Sequence, residues 1–202
     1  MGKHASPNRA SAESQLATVF RPQDLEALGI PRSRLRLWLR QGTAELVGRG
    51  LYRITGAQLT EHETIVRVAA RAPNAIICLL TALQMHGLGT QAPREIWIAL
   101  DRKARKPQLA GLPVHVVRFS GPMLTCGVET REIQGVTVQI TSPARTVVDC
   151  FRYRNKIGLD VALEALRDAL ASRRASVTEI LRIAEVGRVR GVIQPYVEAI
   201  AS

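Results

Sequence analysis

Apolar residues recur at helical spacing between Pro31 and Gln41. Leu35, Trp38 and Leu39 follow the i, i+3, i+4 pattern that places side chains on one face of an α-helix. A proline opens the segment and Gly42 follows it, and these residue types favour the beginning and the end of a helix. The pattern predicts a short helix whose apolar face contacts a neighbouring element.

Further elements are predicted on both sides of this helix. Residues 14–20 (SQLATVF) have helical patterning, and another helix is predicted from Pro22 to a stop at Gly29. The runs AELV and LYRI flank residues 48–50 (Gly-Arg-Gly), which predicts a β-hairpin. Two helices joined by a turn of about three residues form a helix-turn-helix, and a hairpin after it makes a winged helix.

From about residue 61 the pattern changes to apolar helices and short strands. Helical patterning is present in residues 62–72 and 76–88 and in most of the chain beyond residue 142. Between these helical parts lie three β-rich runs, EIWIAL, VHVVRF and VTVQIT, separated by loops with proline and glycine. This part of the chain is predicted to hold a small sheet followed by a helical end.

Several single residues in this part of the chain are expected to have specific structural roles. Trp97 and Ile98 are expected to be buried on the first strand. Ser142 and Ser176 are expected to cap helices. Pro195 is expected to kink or interrupt the last helix.

The predicted fold class is α+β, in three parts. Residues 1–13 are small and polar without periodicity and are expected to form a flexible tail. Residues 14–60 are predicted to form a winged helix-turn-helix domain. Residues 61–202 are predicted to form a mixed α+β domain.

Positive charge is concentrated on the polar face of the Pro31–Gln41 helix. The chain has a net charge of +11, and Gly29–Ile54 holds six arginines and one acid. The helix presents Arg32, Arg36 and Arg40 as a stripe, with Ser33 beside it and Arg34 towards one edge. Arginine binds phosphate and makes bidentate contacts with guanine, so this face favours double-stranded DNA as a partner. Arg49, at the hairpin tip, is expected to reach the DNA backbone or minor groove. Arginine-rich helices also occur on ordinary protein surfaces, and that alternative stays open.

A second basic segment follows the EIWIAL run. Four basic residues stand within five positions there: Arg102, Lys103, Arg105 and Lys106. They predict either a solvated loop or a second contact with nucleic acid. Another basic set, Arg152, Arg154 and Lys156, is interleaved with Tyr153, and a nucleic-acid face would require the two sets to converge.

Other classes of function find little support in the sequence. No run approaches the roughly 18 apolar residues of a membrane span, and the first residues do not resemble a signal peptide. The cysteines, Cys78, Cys126 and Cys150, are far apart, which favours a reduced, cytoplasmic protein. The histidines lack ligand spacing, so we expect no metal and no cofactor. Arg145 and Asp149 are spaced i, i+4, which favours a structural ion pair over catalysis.

Residues 19–54, VFRPQDLEALGIPRSRLRLWLRQGTAELVGRGLYRI, resemble the winged helix-turn-helix of AbiEi-type antitoxins, members of bacterial type IV toxin–antitoxin pairs. The resemblance continues in family order through residues 71–88, 93–100, 127–166 and 195–200. It implies that the N-terminal domain binds inverted repeats in its own promoter as a repressor. It also implies that the C-terminal domain counteracts a nucleotidyltransferase-type toxin, generally without a stable complex. The implied DNA-binding residues are Arg32, Ser33, Arg34, Arg36, Arg40, Arg49 and Arg53.

Two other readings of the sequence remain. The chain can be a stand-alone winged-helix regulator whose second domain senses a ligand or forms an oligomer. It can also be an enzyme that acts on nucleic acid, although the sequence offers no convergent carboxylate or metal cluster for one. A nucleotidyltransferase gene beside this one would favour the antitoxin over the plain regulator.

Overall fold

The computed structural model describes residue 16 and residues 19–48, 50–55, 63–107, 109 and 111–201. The predicted tail, most of the first predicted helix and the hairpin tip with Arg49 lie outside these residues. The chain divides into two compact units. Unit 1 comprises residues 1–71 and 132–137, and unit 2 comprises residues 72–131 and 138–202. The fold class is α+β, as the sequence predicts.

Unit 1 contains the predicted winged helix. Its elements are β1 (Val19–Phe20), α1 (Pro22–Ala27), α2 (Arg32–Gln41), β2 (Ala44–Gly48), β3 (Leu51–Ile54) and α3 (Glu63–Arg71). The strands form an antiparallel sheet in the order β1-β3-β2. Gly42 ends α2 in the left-handed conformation, at a φ of 69°, which a glycine adopts without strain. The two helices and the hairpin therefore follow the signals in the sequence.

The core of unit 1 is small and partly aromatic. Its buried members are Phe20, Leu25, Ile30, Leu35, Trp38 and Ala44. The rings of Phe20 and Trp38 meet edge to face with centroids 6.1 Å apart, and Tyr52 stacks on Phe20. Leu35 and Trp38 thus anchor α2 on this core, as predicted. Leu39 differs from the prediction, because 39% of its surface stays exposed.

Two further details of unit 1 differ from the sequence patterns. Val19 and Phe20 form a strand that pairs with Arg53 and Tyr52, so the helical reading of residues 14–20 is wrong at its end. The helix α3 begins beyond the predicted boundary at residue 60, yet it groups with unit 1. It does so because Arg71 donates to the carbonyl of Val47 at 3.2 Å and Glu63 binds an arginine of β3.

Unit 2 is built on a mixed sheet covered by helices. The strands are β4 (Ile76–Ile77), β5 (Ile96–Asp101), β6 (Val114–Phe119), β7 (Val128–Ile133) and β8 (Val136–Thr141), in the order β6-β5-β4-β8-β7. β4 is antiparallel to β5 and parallel to β8, and β5 is parallel to β6. A 3₁₀ turn, Gly121–Leu124, connects β6 to β7. The turn that joins β7 to β8, within residues 132–137, groups with unit 1.

The helices of unit 2 are α4 (Leu79–His86), α5 (Pro143–Arg152), α6 (Arg154–Ile157), α7 (Leu159–Ala171), α8 (Val177–Val186) and α9 (Arg190–Ala201). Both predicted caps are confirmed. The hydroxyl of Ser142 accepts from the backbone N–H of Arg145, and that of Ser176 accepts from Glu179, each at 3.2 Å. Pro195 does not interrupt α9. Its position is exposed, so the carbonyl that loses its partner can be hydrated.

Two strands of unit 2 differ from what the sequence patterns predict. Ile76 and Ile77 do not begin a helix but pair with Ala99 and Ile98 as a central strand, where buried β-branched residues are favoured. The run VETREI forms the edge strand β7, whose mixed, largely polar residues give no apolar alternation. Ile98 is buried as predicted, whereas Trp97 is only half-buried and stacks on His115, with centroids 3.9 Å apart.

Candidate nucleic-acid interface

The exposed face of α2 carries the predicted arginines. Arg32, Ser33, Arg36 and Arg40 are all exposed, whereas Leu35 and Trp38 hold the opposite side of the helix in the core. Arg34 is half-buried, and its guanidinium lies over the ring of Trp38, 5.8 Å from the centroid. α2 contains four arginines and no acid. A helix with such a face suits entry into the DNA major groove.

One acid reaches this face from the preceding helix. The carboxylate of Glu26, in α1, accepts from Nε of Arg32 at 2.6 Å, and both side chains are exposed. Exposed ion pairs of this kind contribute about 0–1 kcal/mol. A phosphate can therefore replace Glu26 at Arg32 with little loss in stability, and Glu26 orients the arginine in the free protein.

Arg53 stands apart from the other arginines that the family resemblance implies. Only 18% of its side chain is exposed, on β3, and it forms ion pairs with Glu45 and with the buried Glu63. The bond to Glu63 spans 2.5 Å. Burial opposes its charge, but these two carboxylates raise the pKa of Arg53 above its ordinary value. The side chain therefore ties β3 to β2 and α3 rather than facing outward with the arginines of α2.

The loop that carries the second basic segment is linked through Arg118 and Tyr153 to the other basic set of unit 2. Arg102, Lys103, Arg105 and Lys106 are all exposed on the loop after β5. Arg118, on β6, holds this loop by donating to the carbonyls of Asp101 and Ala104, at 2.8 Å each. The hydroxyl of Tyr153 donates to the carbonyl of Arg118 at 3.2 Å, which brings the set containing Arg154 and Lys156 to the same region.

Arg118 is a member of this region that the sequence pattern does not indicate by itself. It is exposed on a mostly apolar strand, and the alternation along VHVVRF is the signal that could point to it. Its contacts with a distant loop and with Tyr153 depend on strand pairing, which the pattern of a single strand does not reveal.

The described residues provide no group of three or more His, Cys, Asp or Glu side chains arranged for a metal ion. Within the same residues, no helix has the length and apolar character needed to cross a bilayer.

The predicted Arg145–Asp149 pair is present: Nε of Arg145 lies 3.0 Å from both carboxylate oxygens of Asp149, and both side chains are fully buried. Arg145 also donates to the carbonyl of Cys126 and lies over the ring of Phe119.

The buried ionisable groups around this pair have shifted pKa values. Burial raises the pKa of Asp149 to about 6, against the opposing effect of Arg145. Burial also raises the pKa of the Cys78 and Cys150 thiols, and the charge of Asp149 adds to this. These thiols therefore stay protonated and are poor nucleophiles. The cluster has the character of a structural core rather than of a reactive site.

His86 is a second buried polar group of unit 2, and its bonds define its protonation state. Nε2 lies 2.7 Å from the carbonyl of Thr141 and must donate to it, so Nδ1 accepts from the guanidinium of Arg131 at 3.1 Å. A proton on Nδ1 would break the second bond and place two cations together. Burial, aided by Arg131 and Arg174 and opposed by the Thr141 bond and Glu129, lowers the pKa of His86.

We expect His86 to make unit 2 less stable in mild acid. Below pH ~6.5 the unfolded chain binds a proton at this histidine while the folded chain does not, so stability falls as the pH drops towards the lowered folded pKa. The loss approaches about 1.4 kcal/mol per pH unit. His86→Gln keeps a donor for Thr141 and should flatten the dependence between about pH 7.5 and 5.5, measured by urea unfolding. If the free energy of unfolding changed with pH in the same way for the parent protein and for His86→Gln, the prediction would be wrong.

The described elements make this chain a winged helix-turn-helix protein with a second, α+β unit. Residues 10–55 match the model of a family described as a transcriptional regulator, AbiEi antitoxin. The matched segment contains α1, α2 and both hairpin strands. It confirms the resemblance to AbiEi-type antitoxins and supports a DNA-binding antitoxin.

Among solved structures, the chain is similar to the crystal structure of the RV2827C protein from Mycobacterium tuberculosis. The TM-score is 0.55 and the sequence identity is 18%, and the match covers 86% of this chain and 68% of that one. At this identity the similarity shows a shared fold alone. No curated protein matches the chain.

Proposed function

We propose that the protein is the antitoxin of a type IV toxin–antitoxin pair and represses its own operon by binding inverted repeats in the operator. The observation that carries the DNA-binding part is the exposed arginine face of α2, held on a winged-helix core by Leu35 and Trp38. The family description supports the antitoxin part. The partner of the proposed pair is a nucleotidyltransferase-type toxin, and the proposed site of action is the cytoplasm.

The arginines of unit 1 have different proposed roles. Arg32 and Arg36 lie one turn apart on α2, towards its N-terminal end, and are proposed to contact bases, because the first residues of a recognition helix reach the base edges. Arg40 and Ser33 are proposed to contact phosphates. Arg34 assists from the edge of the helix. Arg49 remains a proposed contact of the wing, and Arg53 is left out because its carboxylate partners already hold it.

The linked basic segments of unit 2 are proposed as a second contact with nucleic acid. Arg102, Lys103, Arg105 and Lys106 are exposed on one loop, and Arg118 and Tyr153 connect that loop to the second basic set. Phosphate contacts carry no sequence information but add affinity. In this proposal the loop strengthens binding to DNA that flanks the operator half-sites.

Salt dependence tests the proposed DNA binding. If about four arginines of unit 1, at phosphates or at base edges, displace counterions from the DNA, the logarithm of the affinity should fall against the logarithm of salt concentration with a slope of about −4 per protomer. Fluorescence anisotropy with a short half-site of the upstream DNA measures this slope. Replacing Arg40 by alanine should reduce the slope by about one, and Arg190→Ala, on α9, is the matched control. No binding to upstream DNA at low salt would refute the proposal.

A further inference from the structure

Leu39 is an apolar side chain that is not buried in the core of unit 1. It keeps 39% of its surface exposed, and only two other large apolar residues among those described, Leu46 and Leu159, are exposed to a similar degree or more. On the same helix, Leu35 and Trp38 are each 6% exposed. The apolar face of α2 is therefore centred between Leu35 and Trp38, and Leu39 lies at its outer edge.

The helical geometry places Leu39 beside the proposed DNA-contacting residues. Seven residues separate Leu39 from Arg32, nearly two full turns, so the two side chains point within about 20° of one another. Leu39 also follows Arg36 by about one turn and precedes Arg40 directly. An apolar group thus borders the arginine face, on the side of Arg32.

DNA offers one apolar group in the major groove. This group is the C5-methyl of thymine, which apolar side chains contact in direct readout. Resting on the proposed function of α2, we propose that Leu39 reads a thymine methyl in each operator half-site. The arginines supply charge and hydrogen bonds at the same face. Leu39 adds selectivity for the methyl group of thymine, which neither charge nor hydrogen bonds can recognise.

The position of the thymine follows from the helix. Seven residues advance about 10 Å along the axis of α2. One strand of duplex DNA advances about 3.4 Å per base. The thymine should therefore lie about two to three base pairs from the base contacted by Arg32, because a helix inclined to the groove shortens the distance.

Removing the methyl group from DNA tests the proposal with the full-length protein. Each thymine of a half-site in the upstream DNA is replaced in turn by deoxyuridine, which differs only by that methyl, and affinity is measured by anisotropy. Replacement at one position should weaken binding of the parent protein about three- to fivefold, because the transfer free energy of one buried methyl group is lost. Leu39→Ala should bind the thymine probe more weakly by a similar factor and should lose its sensitivity to deoxyuridine at that position. Leu39→Met, which keeps an apolar side chain of similar size, should retain part of it.

Leu46→Ala is the matched control. Leu46 is 60% exposed but lies on β2, outside the recognition helix, so this variant should keep the full response to deoxyuridine. Binding by the parent protein that is indifferent to every deoxyuridine would overturn the inference while leaving the proposed function intact. A second result would also overturn it. In this result, Leu39→Ala weakens binding equally on thymine and deoxyuridine probes, and the weakening disappears on DNA with a single half-site, which indicates that Leu39 contacts a second protein copy. Absence of any DNA binding would refute both.

Discussion

Asp149→Ala is expected to destabilise unit 2 by about 3–5 kcal/mol, because it leaves the cation of Arg145 buried without its partner. Both side chains are fully buried, and Nε of Arg145 lies 3.0 Å from each carboxylate oxygen. The measurement is urea unfolding at about pH 7.5, above the pKa of about 6 at which Asp149 ionises. Reaction of the buried Cys78 and Cys150 with a thiol reagent reports the opening of unit 2 directly.

The control for this prediction is an ion pair on the surface of the same unit. Arg190 and Glu185 lie 3.2 Å apart, but their side chains are 49% and 67% exposed. Glu185→Ala should therefore change stability by less than about 1 kcal/mol. An Asp149→Ala protein as stable as Glu185→Ala would show that water or a rearrangement compensates Arg145. The double variant Arg145→Met, Asp149→Leu should regain much of the loss, because it removes both buried charges.

Replacing Arg32 and Arg36 together by alanine is expected to abolish specific operator binding at physiological salt. Each arginine that reads a base contributes about 1–3 kcal/mol to binding. Both side chains are exposed on α2 and neither is among the buried residues, so the fold of unit 1 should be preserved. Mobility shifts with upstream DNA measure the loss, and circular dichroism checks the fold. A reporter fused to the promoter should be derepressed.

The same double variant separates the two parts of the proposed function. Because its second unit is unchanged, it should still restore growth when expressed beside the cognate toxin. Arg182→Ala, Arg190→Ala is the matched control, since it removes two exposed arginines of α8 and α9 that belong to neither basic set. Operator binding that survives the loss of Arg32 and Arg36 would place the DNA site elsewhere. A correctly folded parent protein that leaves the toxin fully active would favour the plain transcriptional regulator.

Much of unit 1 could be predicted because its signals are local. Pro22, Gly29 and Gly42 mark the ends of α1 and α2, and the spacing of Leu35 and Trp38 gives the buried face. Such signals act within one or two turns of chain, so they are readable without knowledge of distant residues. The strand at Val19–Phe20 could not be read in this way. It exists because it pairs with Tyr52 and Arg53 of β3, far along the chain.

The sheet of unit 2 likewise contains strands that the sequence predicts and strands that it does not. β5, β6 and β8 are apolar runs with strong strand character, and the sequence predicts all three. β4 is two residues long and is defined by its neighbours β5 and β8, while β7 is an edge strand with a mixed, largely polar pattern. Strand pairing over long sequence separations, rather than intrinsic preference, decides such elements.

Spacing within a helix or a hairpin was enough to establish the α+β class, the winged helix, the arginine face of α2 and the pairing of Arg145 with Asp149. Which polar and apolar groups are available for binding depends instead on the folded chain. In the folded chain Arg53 pairs with Glu45 and Glu63 instead of facing outward with the arginines of α2, and Leu39 stays exposed beside those arginines. The fold also joins two basic segments through Arg118. The exposure of Leu39 and the ion pairs of Arg53 depend on contacts between different elements, and no pattern within a single helix or strand encodes such contacts.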